Sequence, residues 1–393
     1  MLRARANLLL TTFLFSMLGL IAKLPCAADY WSATSHSMIY LCYSDIGPLF
    51  FTRGLIDGVI PYIQQSAEGY VEYPVITGIT MWLMSTIAHG NAVVFVIGTW
   101  LINVSFMMAA VYFLAFLNER AAWLLALAPA LFFTLGINWD AAAVFAMVAA
   151  LWAWQNQRHL LAGVAVGFGT SAKLFPVLLL VAFAADALNK RTFSNFANAV
   201  IGFVSSWITI NAPFMLLNFD GWAHFYAFSR ERGIDFGSPY LAIAYSDWSQ
   251  NYWTPTNVAN LISAITLVCA TVFVMWKRKD LDLATTVLLL LSTFLLFNKV
   301  YSPQYWLWLS VVVALCTSSL SIWIVWNLTQ FVYFVAVWRF ILHGNTDYVG
   351  SGAIGESAYA LAIIVMWVTT AAVVVNQVRS LGQPRPEHDL SHL

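Results

Sequence analysis

Residues 92–117 read AVVFVIGTWLINVSFMMAAVYFLAFL, a run without one charged side chain. A bilayer's hydrocarbon core needs about 20 consecutive apolar residues in a helix, so this run reads as a membrane span. Further apolar runs lie on both sides, roughly over 8–26, 75–88, 121–136, 141–155, 160–173, 176–187, 196–217, 257–276, 283–297, 305–317, 321–338 and 357–375. The 393 residues are 61% apolar and 9% charged, with mean hydropathy +0.75, whereas a soluble domain carries about 25% charged residues. The fold class is therefore all-α, a polytopic membrane protein surrounded by membrane lipids. A net charge of zero argues against nucleic acid as a partner.

Basic residues orient these runs. Arg3/Arg5, Arg120, Arg158, Lys190-Arg191, Lys277-Arg278-Lys279 and Arg379/Arg385 form clusters that the positive-inside rule assigns to the cytoplasm. If every run crosses, Arg120 falls outside. Treating 75–88, entered through Tyr73-Pro74, as a re-entrant or interfacial helix restores the rule and leaves about 12 transmembrane helices with both termini cytoplasmic. The expected organisation is one integral domain over 1–375, with a first exoplasmic loop at 27–74, a long one at 218–256 and a disordered cytoplasmic tail at 376–393. The N-terminal run resembles a signal sequence but reads as a retained span, since no small-x-small cleavage site closes it before Asp29. No internal repeat of the kind many carriers show is visible.

In this topology the polar motifs outside the basic clusters gather on the outer face. Cys42-Tyr43-Ser44-Asp45 follows the first span, and Ile46, Leu49, Phe50, Leu55, Ile56 and Val59 around Arg53 and Asp57 fit an amphipathic interfacial helix over 46–62. Asp45 reads as a functional acid, with an ordinary solvated loop acid as the alternative. Glu72, between Tyr70 and Tyr73, reads as a hydroxyl binder or a partner for Arg53; an interfacial aromatic belt explains the tyrosines as well. Asn138-Trp139-Asp140 opens a span, where capping of the helix N-terminus is a sufficient alternative. Lys173, in Ser171-Ala172-Lys173-Leu174-Phe175-Pro176, is an ionisable residue at membrane depth that needs a counter-charge, such as Asp140 or a lipid phosphate, unless it snorkels. Lys299 precedes Ser302-Pro303-Gln304-Tyr305 in the same way. Arg230, Arg232, Arg339 and His343 add outward-facing cations.

Cys26 and Cys42 could pair on an oxidising face, although isolated cysteines are mostly small buried apolar residues. No HExxH, CxxC or Walker-type glycine loop is present, so metalloprotease, redox and NTPase chemistry have no motif here.

Taken in order, Tyr43-Ser44-Asp45, Arg53-Gly54, Asp57-Gly58, Pro61-Tyr62, Glu72-Tyr73-Pro74, Asn138-Trp139-Asp140, the glycine-rich Gly163–Gly169 before Lys173-Leu174-Phe175-Pro176, and Lys299–Tyr305 resemble the GT-C glycosyltransferases. The resemblance is to the actinobacterial polyprenol-phosphate-mannose-dependent α-mannosyltransferases in particular. It implies an inner (plasma) membrane enzyme that takes a sugar from a polyprenyl-phosphate donor and gives it to a glycolipid or glycan hydroxyl on the exoplasmic face. The family's general base carries onto Asp45. Many GT-C enzymes pair acids at this point, whereas here Ser44 precedes a single Asp45, which leaves any metal requirement open. No other cofactor is implied.

Such a displacement needs a base within reach of the acceptor hydroxyl and positive charge where the leaving phosphate develops its second negative charge. Asp45 is the candidate base, and Lys173, Lys299 and Arg339 are the candidate phosphate binders. Arg53, Asp57, Tyr62, Glu72, Tyr73, Asn138, Asp140, Gln304 and Tyr305 are the candidate substrate binders. The competing readings are a lipid-linked-sugar flippase and a non-catalytic subunit of an envelope-assembly complex. Aromatic residues of the long loop, Trp222, Phe225, Tyr226, Phe228, Tyr240, Trp248 and Trp253, suit either sugar rings or lipid headgroups.

Overall fold

The computed structural model describes residues 2–246, 252–344 and 352–381. Its helices are α1 Leu2–Lys23, α2 Ser35–Ile39, α3 Ile46–Thr52, α4 Val75–Ala88, α5 Ala92–Leu117, α6 Glu119–Ala126, α7 Pro129–Thr134, α8 Ala141–Gln155 and α9 His159–Thr170. They continue as α10 Leu178–Lys190, α11 Phe193–Leu217, α12 Phe219–Glu231, α13 Pro239–Ala244, α14 Thr256–Lys277, α15 Leu283–Leu296, α16 Tyr305–Cys316, α17 Leu320–His343 and α18 Glu356–Leu381. The only strands among the described residues are β1 Asp235–Phe236 and β2 Val300–Tyr301, which pair in parallel. Six helices (α1, α5, α11, α14, α17 and α18) are long and apolar enough to cross a membrane. The protein is an integral membrane protein.

Contacts at the helix ends order the bundle. At one end the Arg5 guanidinium lies 3.8 Å from the Phe116 ring centroid, Arg120 donates to the Thr317 carbonyl at 2.6 Å and Gln377 donates to Thr285 at 3.3 Å. At the other end the last turn of α1 meets the 41–45 segment, and Asn103, partway along α5, donates to the Leu135 and Asn138 carbonyls. α5 therefore starts on the second side. α4 is entered through Pro74 and turns at His89-Gly90-Asn91 into α5, against which it packs.

Small residues let the most intimate helix pair form. α9 and α11 pack so closely that a Cβ on Gly163 meets the Ala199 carbonyl and one on Gly202 meets the Leu160 carbonyl. Without a hydrophobic drive between helices in lipid, this backbone approach is how dispersion and weak polar contacts accumulate. The packing fixes where α9 ends, and with it the Lys173 turn.

Three expectations are corrected. The run 121–136 is not one helix but α6 and α7, broken at Leu127-Ala128 because Pro129 has no N–H to donate and its ring crowds the preceding turn. The helix expected over 46–62 stops at Thr52, where Gly54 takes φ +62°, and Ile46, Leu49, Phe50 and Leu55 pack inside the protein instead of facing lipid. The tail expected from 376 begins as helix, since α18 continues to Leu381; Gly382–Leu393 lie outside the described residues, as does Trp248.

The first loop is not a solvated connection. Cys26, Trp31, Cys42, Phe50, Leu55, Tyr62, Val71, Val75, Met81, Phe95 and Trp139 form a second apolar cluster beside the main core. Asp45 sits where the two clusters meet.

Candidate active site

Four separate segments converge on Asp45. Its own segment is held from behind: Ser44 N–H donates to the Trp31 carbonyl at 3.1 Å, Asp45 N–H to the Ile137 carbonyl at 2.9 Å, and the Ser44 hydroxyl to the Gly136 carbonyl at 2.6 Å. Gly136 is required there because a Cβ would collide with the Trp100 ring. These contacts account for the serine in place of a second acid. Position 44 is buried, and its hydroxyl both donates to the Gly136 carbonyl and accepts from the Ile46 N–H at 3.1 Å, whereas an ionised carboxylate has no proton to give that carbonyl.

The Asp45 carboxylate accepts from the Tyr43 hydroxyl at 2.7 Å and from Asn138 Nδ2 at 2.9 Å. Asn138 Nδ2 also donates to the Tyr73 hydroxyl at 2.7 Å, while Asn138 Oδ1 accepts from Lys173 Nζ at 3.1 Å and from the Trp139 N–H at 2.7 Å. Lys173 Nζ lies 3.2 Å from Asp140 Oδ1 and 4.4 Å from the Tyr73 ring centroid. Asp140 stands at the N-cap of α8 but caps nothing. The counter-charge that Lys173 needs is Asp140, and the capping alternative is set aside.

Burial raises the Asp45 carboxyl above the ordinary carboxylate range. The hydrogen bonds from Tyr43 and Asn138, and the charges of Lys173 and Arg232, pull it part of the way back. Asp45 nevertheless keeps accessible surface, whereas Asp140 is 2% exposed. Burial, then the Asp45 charge, pushes the Tyr43 hydroxyl up, so it remains an O–H donor to its neighbour.

Of the remaining candidates, Arg53 and Glu72 bind each other in a bidentate pair at 2.6 and 2.8 Å, the partner role expected for Glu72. The buried Tyr62 hydroxyl is consumed by the Tyr73 and Pro74 carbonyls and the Gly78 N–H, which makes it scaffold for the 73–78 turn. Asp57 is exposed on the turn between Gly54 and Gly58, outside this network. The Tyr305 ring lies 4.1 Å from that of Trp308, and the charges of Arg232 and Asp140 reach it; Gln304 is buried at the N-cap of α16. Two proposed phosphate binders are engaged elsewhere. Lys299 donates to the Arg230 carbonyl at 2.8 Å and is 4% exposed; Arg339 donates to the Ile39 carbonyl at 3.3 Å, at the end of α2.

Arg232 is the cation absent from the candidate phosphate binders. β1–β2 pairing, the Lys299 bond and a 2.6 Å ion pair with Asp235 hold it where its charge acts on Asp45, Tyr43, Tyr73 and Tyr305. Nothing local in the sequence separates it from Arg230, whose side chain points outward beside Glu231. Tyr43 and Asn103 were also missing; a lone asparagine inside the apolar run 92–117 was the available signal. Among the described residues no three His, Cys, Asp or Glu side chains gather as a metal site requires. The described cavities lie away from Asp45, the larger being an apolar groove of about 560 Å³ between α13 and α18.

Asp45 thus has hydrogen-bond donors at its back and the charges of two cations, Lys173 and Arg232, acting on it within a helical membrane bundle. The chain belongs to glycosyltransferase family 87, a GT-C-type family, whose profile matches residues 70–303. The match begins after Asp45, so that residue's assignment rests on the geometry. Among solved structures, the crystal structure of ArnT from Cupriavidus metallidurans bound to undecaprenyl phosphate is similar over 92% of this chain and 77% of that chain, at 13% identity and a TM-score of 0.47. No curated protein matches the chain.

Proposed function

We propose that the protein transfers a sugar, mannose by its sequence resemblance, from a polyprenyl-phosphate donor to a glycolipid or glycan hydroxyl on the outer face of the plasma membrane. The observation that carries this reading is the half-buried Asp45 carboxylate, fixed by Tyr43 and Asn138 and faced by Lys173 and Arg232. Asp45 takes the proton of the acceptor hydroxyl as its oxygen bonds to the anomeric carbon. The bond from that carbon to the phosphate oxygen breaks, and the new charge on the leaving phosphate falls to Lys173 and Arg232. The groove lined by Pro239, Ala242, Ile243, Ile363, Ile364 and Trp367 suits the polyprenyl chain, since α13 follows Arg232 closely in the chain.

Two features support an outward-facing site and twelve crossings by α1, α5, α6 with α7, α8 to α11 and α14 to α18. Arg5, Arg120, Arg158, Lys190 and Lys277 lie at the helix ends opposite Asp45, as the positive-inside rule asks. Cys26 is bonded to Cys42 beside the site, which fits an oxidising compartment. The test is transfer from radiolabelled polyprenyl-phosphate-mannose by purified wild type and Asp45→Asn. Loss of transfer with donor binding retained supports the reading; undiminished transfer by the variant removes Asp45 as base, and donor binding without transfer by either protein favours a carrier.

A further inference from the structure

Asn211 lies in α11 and is 1% exposed. The other buried residues of that helix, Ala199 and Gly202, are the small ones that let it close on α9. An amide taken out of water costs free energy unless its polar atoms are paired, and those of Asn211 are. Nδ2 donates to the Ser171 hydroxyl and to the Trp207 carbonyl, both at 2.9 Å, and Oδ1 accepts from the Trp222 indole N–H at 3.0 Å. Because an indole N–H can only donate, Trp222 fixes which end of the amide faces Ser171.

Ser171 follows the last residue of α9 and opens the turn Ser171-Ala172-Lys173; its hydroxyl donates in turn to the Gly167 carbonyl at 2.8 Å. The first turn of α4 grips the same turn through the backbone. Ile76 N–H donates to the Ser171 carbonyl at 2.7 Å and the Thr77 hydroxyl to the Ala172 carbonyl at 2.8 Å. Lys173 leaves this clamp to reach Asn138 Oδ1 at 3.1 Å, and Asn138 donates to Asp45 at 2.9 Å. Trp222 belongs to α12, which sits on the first loop: Asn218 donates to the Tyr70 hydroxyl at 3.1 Å, and a Cβ on Gly221 would meet the Tyr62 carbonyl. Every link from α12 to the acid is thus a direct hydrogen bond or the short 171–173 turn.

We propose that Asn211 is a positioning residue for the transfer: with Trp222 setting its amide, it clamps the 171–173 turn between α11 and α4 and so fixes the ammonium of Lys173 that meets the donor phosphate. The proposal rests on the donor reading above. Asn211 touches neither substrate nor acid, and its effect passes through Ser171 to Lys173.

The test is binding of polyprenyl phosphate, the product that the proposed transfer releases, to the full chain in lipid nanodiscs. This ligand carries the second negative charge that the donor phosphodiester lacks, so its affinity reads the placement of Lys173 and does not depend on which sugar is transferred. Asn211→Leu, which removes the amide, weakens binding about tenfold, as expected when one charge-assisted contact is misaligned. In a Lys173→Met/Asp140→Asn background, where the buried pair is replaced together, Asn211→Leu causes no further loss. Ser171→Ala, which deletes the acceptor at the other end of the bond, weakens binding in the same way and serves if the leucine variant does not fold. Thermal unfolding reports folding separately. Unchanged affinity in folded Asn211→Leu or Ser171→Ala, or an equal loss with and without Lys173, overturns the inference and leaves Asn211 as a bond between helices. Failure of the wild type to bind polyprenyl phosphate sinks the donor reading itself, and the role of Asn211 with it.

Discussion

Asn138 is the side chain on which the site depends most, and Asn138→Ala tests that directly. Its Nδ2 donates to Asp45 at 2.9 Å and its Oδ1 accepts from Lys173 at 3.1 Å, so one amide joins the base to the cation. A hydrogen bond to a charged group contributes about 1.5–3 kcal/mol. Because that bond favours the ionised acid, removing it raises an already elevated Asp45 carboxyl further, by about 1–2 pH units at roughly 1.4 kcal/mol per unit. The base acts only when deprotonated, so the acid limb of the pH profile of kcat moves upward by that amount. On the acid side of that limb the variant is slower than wild type, and raising the pH restores much of its rate. The assay is release of polyprenyl phosphate from polyprenyl-phosphate-mannose across pH, on protein shown folded by thermal unfolding. A uniform loss at every pH, with the acid limb unmoved, would refute the reasoning and leave Asn138 as a structural bracket.

The Lys173 and Asp140 side chains, 12% and 3% exposed, form a buried pair, so Lys173→Met or Asp140→Asn alone costs about 3–5 kcal/mol while the double variant costs clearly less; thermal or denaturant unfolding of all three closes the cycle, and additive losses would dissolve the pair. Arg232→Ala lowers kcat for polyprenyl-phosphate-mannose about 100-fold, the scale for one group that stabilises transition-state charge. Arg339→Ala leaves kcat near wild type and costs about 1 kcal/mol of stability through the Ile39 carbonyl. The reverse pattern would return Arg339 to the phosphate and remove Arg232.

Most of the helix boundaries were legible because the apolar runs end at charges, prolines or asparagines: 92–117 and 141–155 match α5 and α8 residue for residue. The run 121–136 misled because hydropathy does not register the missing N–H of Pro129. In the site, Asp45, Asn138, Asp140 and Lys173 could be read because a polar residue at the end of an apolar run demands a partner. Arg232 could not, since its placement depends on a strand pair between residues far apart in sequence, Asp235 with Val300. Tyr62 was misassigned for the converse reason. Its motif looked like substrate contact, while its hydroxyl spends itself on backbone groups that the loop's own turn left unpaired.

The surroundings of the carboxylates bear on stereochemistry as well. A double displacement with retention would use a free carboxylate as nucleophile and a second acid group to assist, whereas inversion uses one base. Asp140 is 2% exposed and tied to Lys173, and Glu72 is locked by both guanidinium bonds of Arg53. Asp45 alone of these three combines accessible surface with a place facing Lys173 and Arg232. One available acid makes single displacement the expected course, so a β-linked donor phosphate yields an α-glycoside. The anomeric configuration of the product, read by proton NMR on the isolated glycolipid, checks this. A β product, or a glycosyl adduct on any carboxylate detected by mass spectrometry of the donor-treated protein, would show that a second acid becomes free during turnover, and the ion pairs around Asp140 and Glu72 would then have to open.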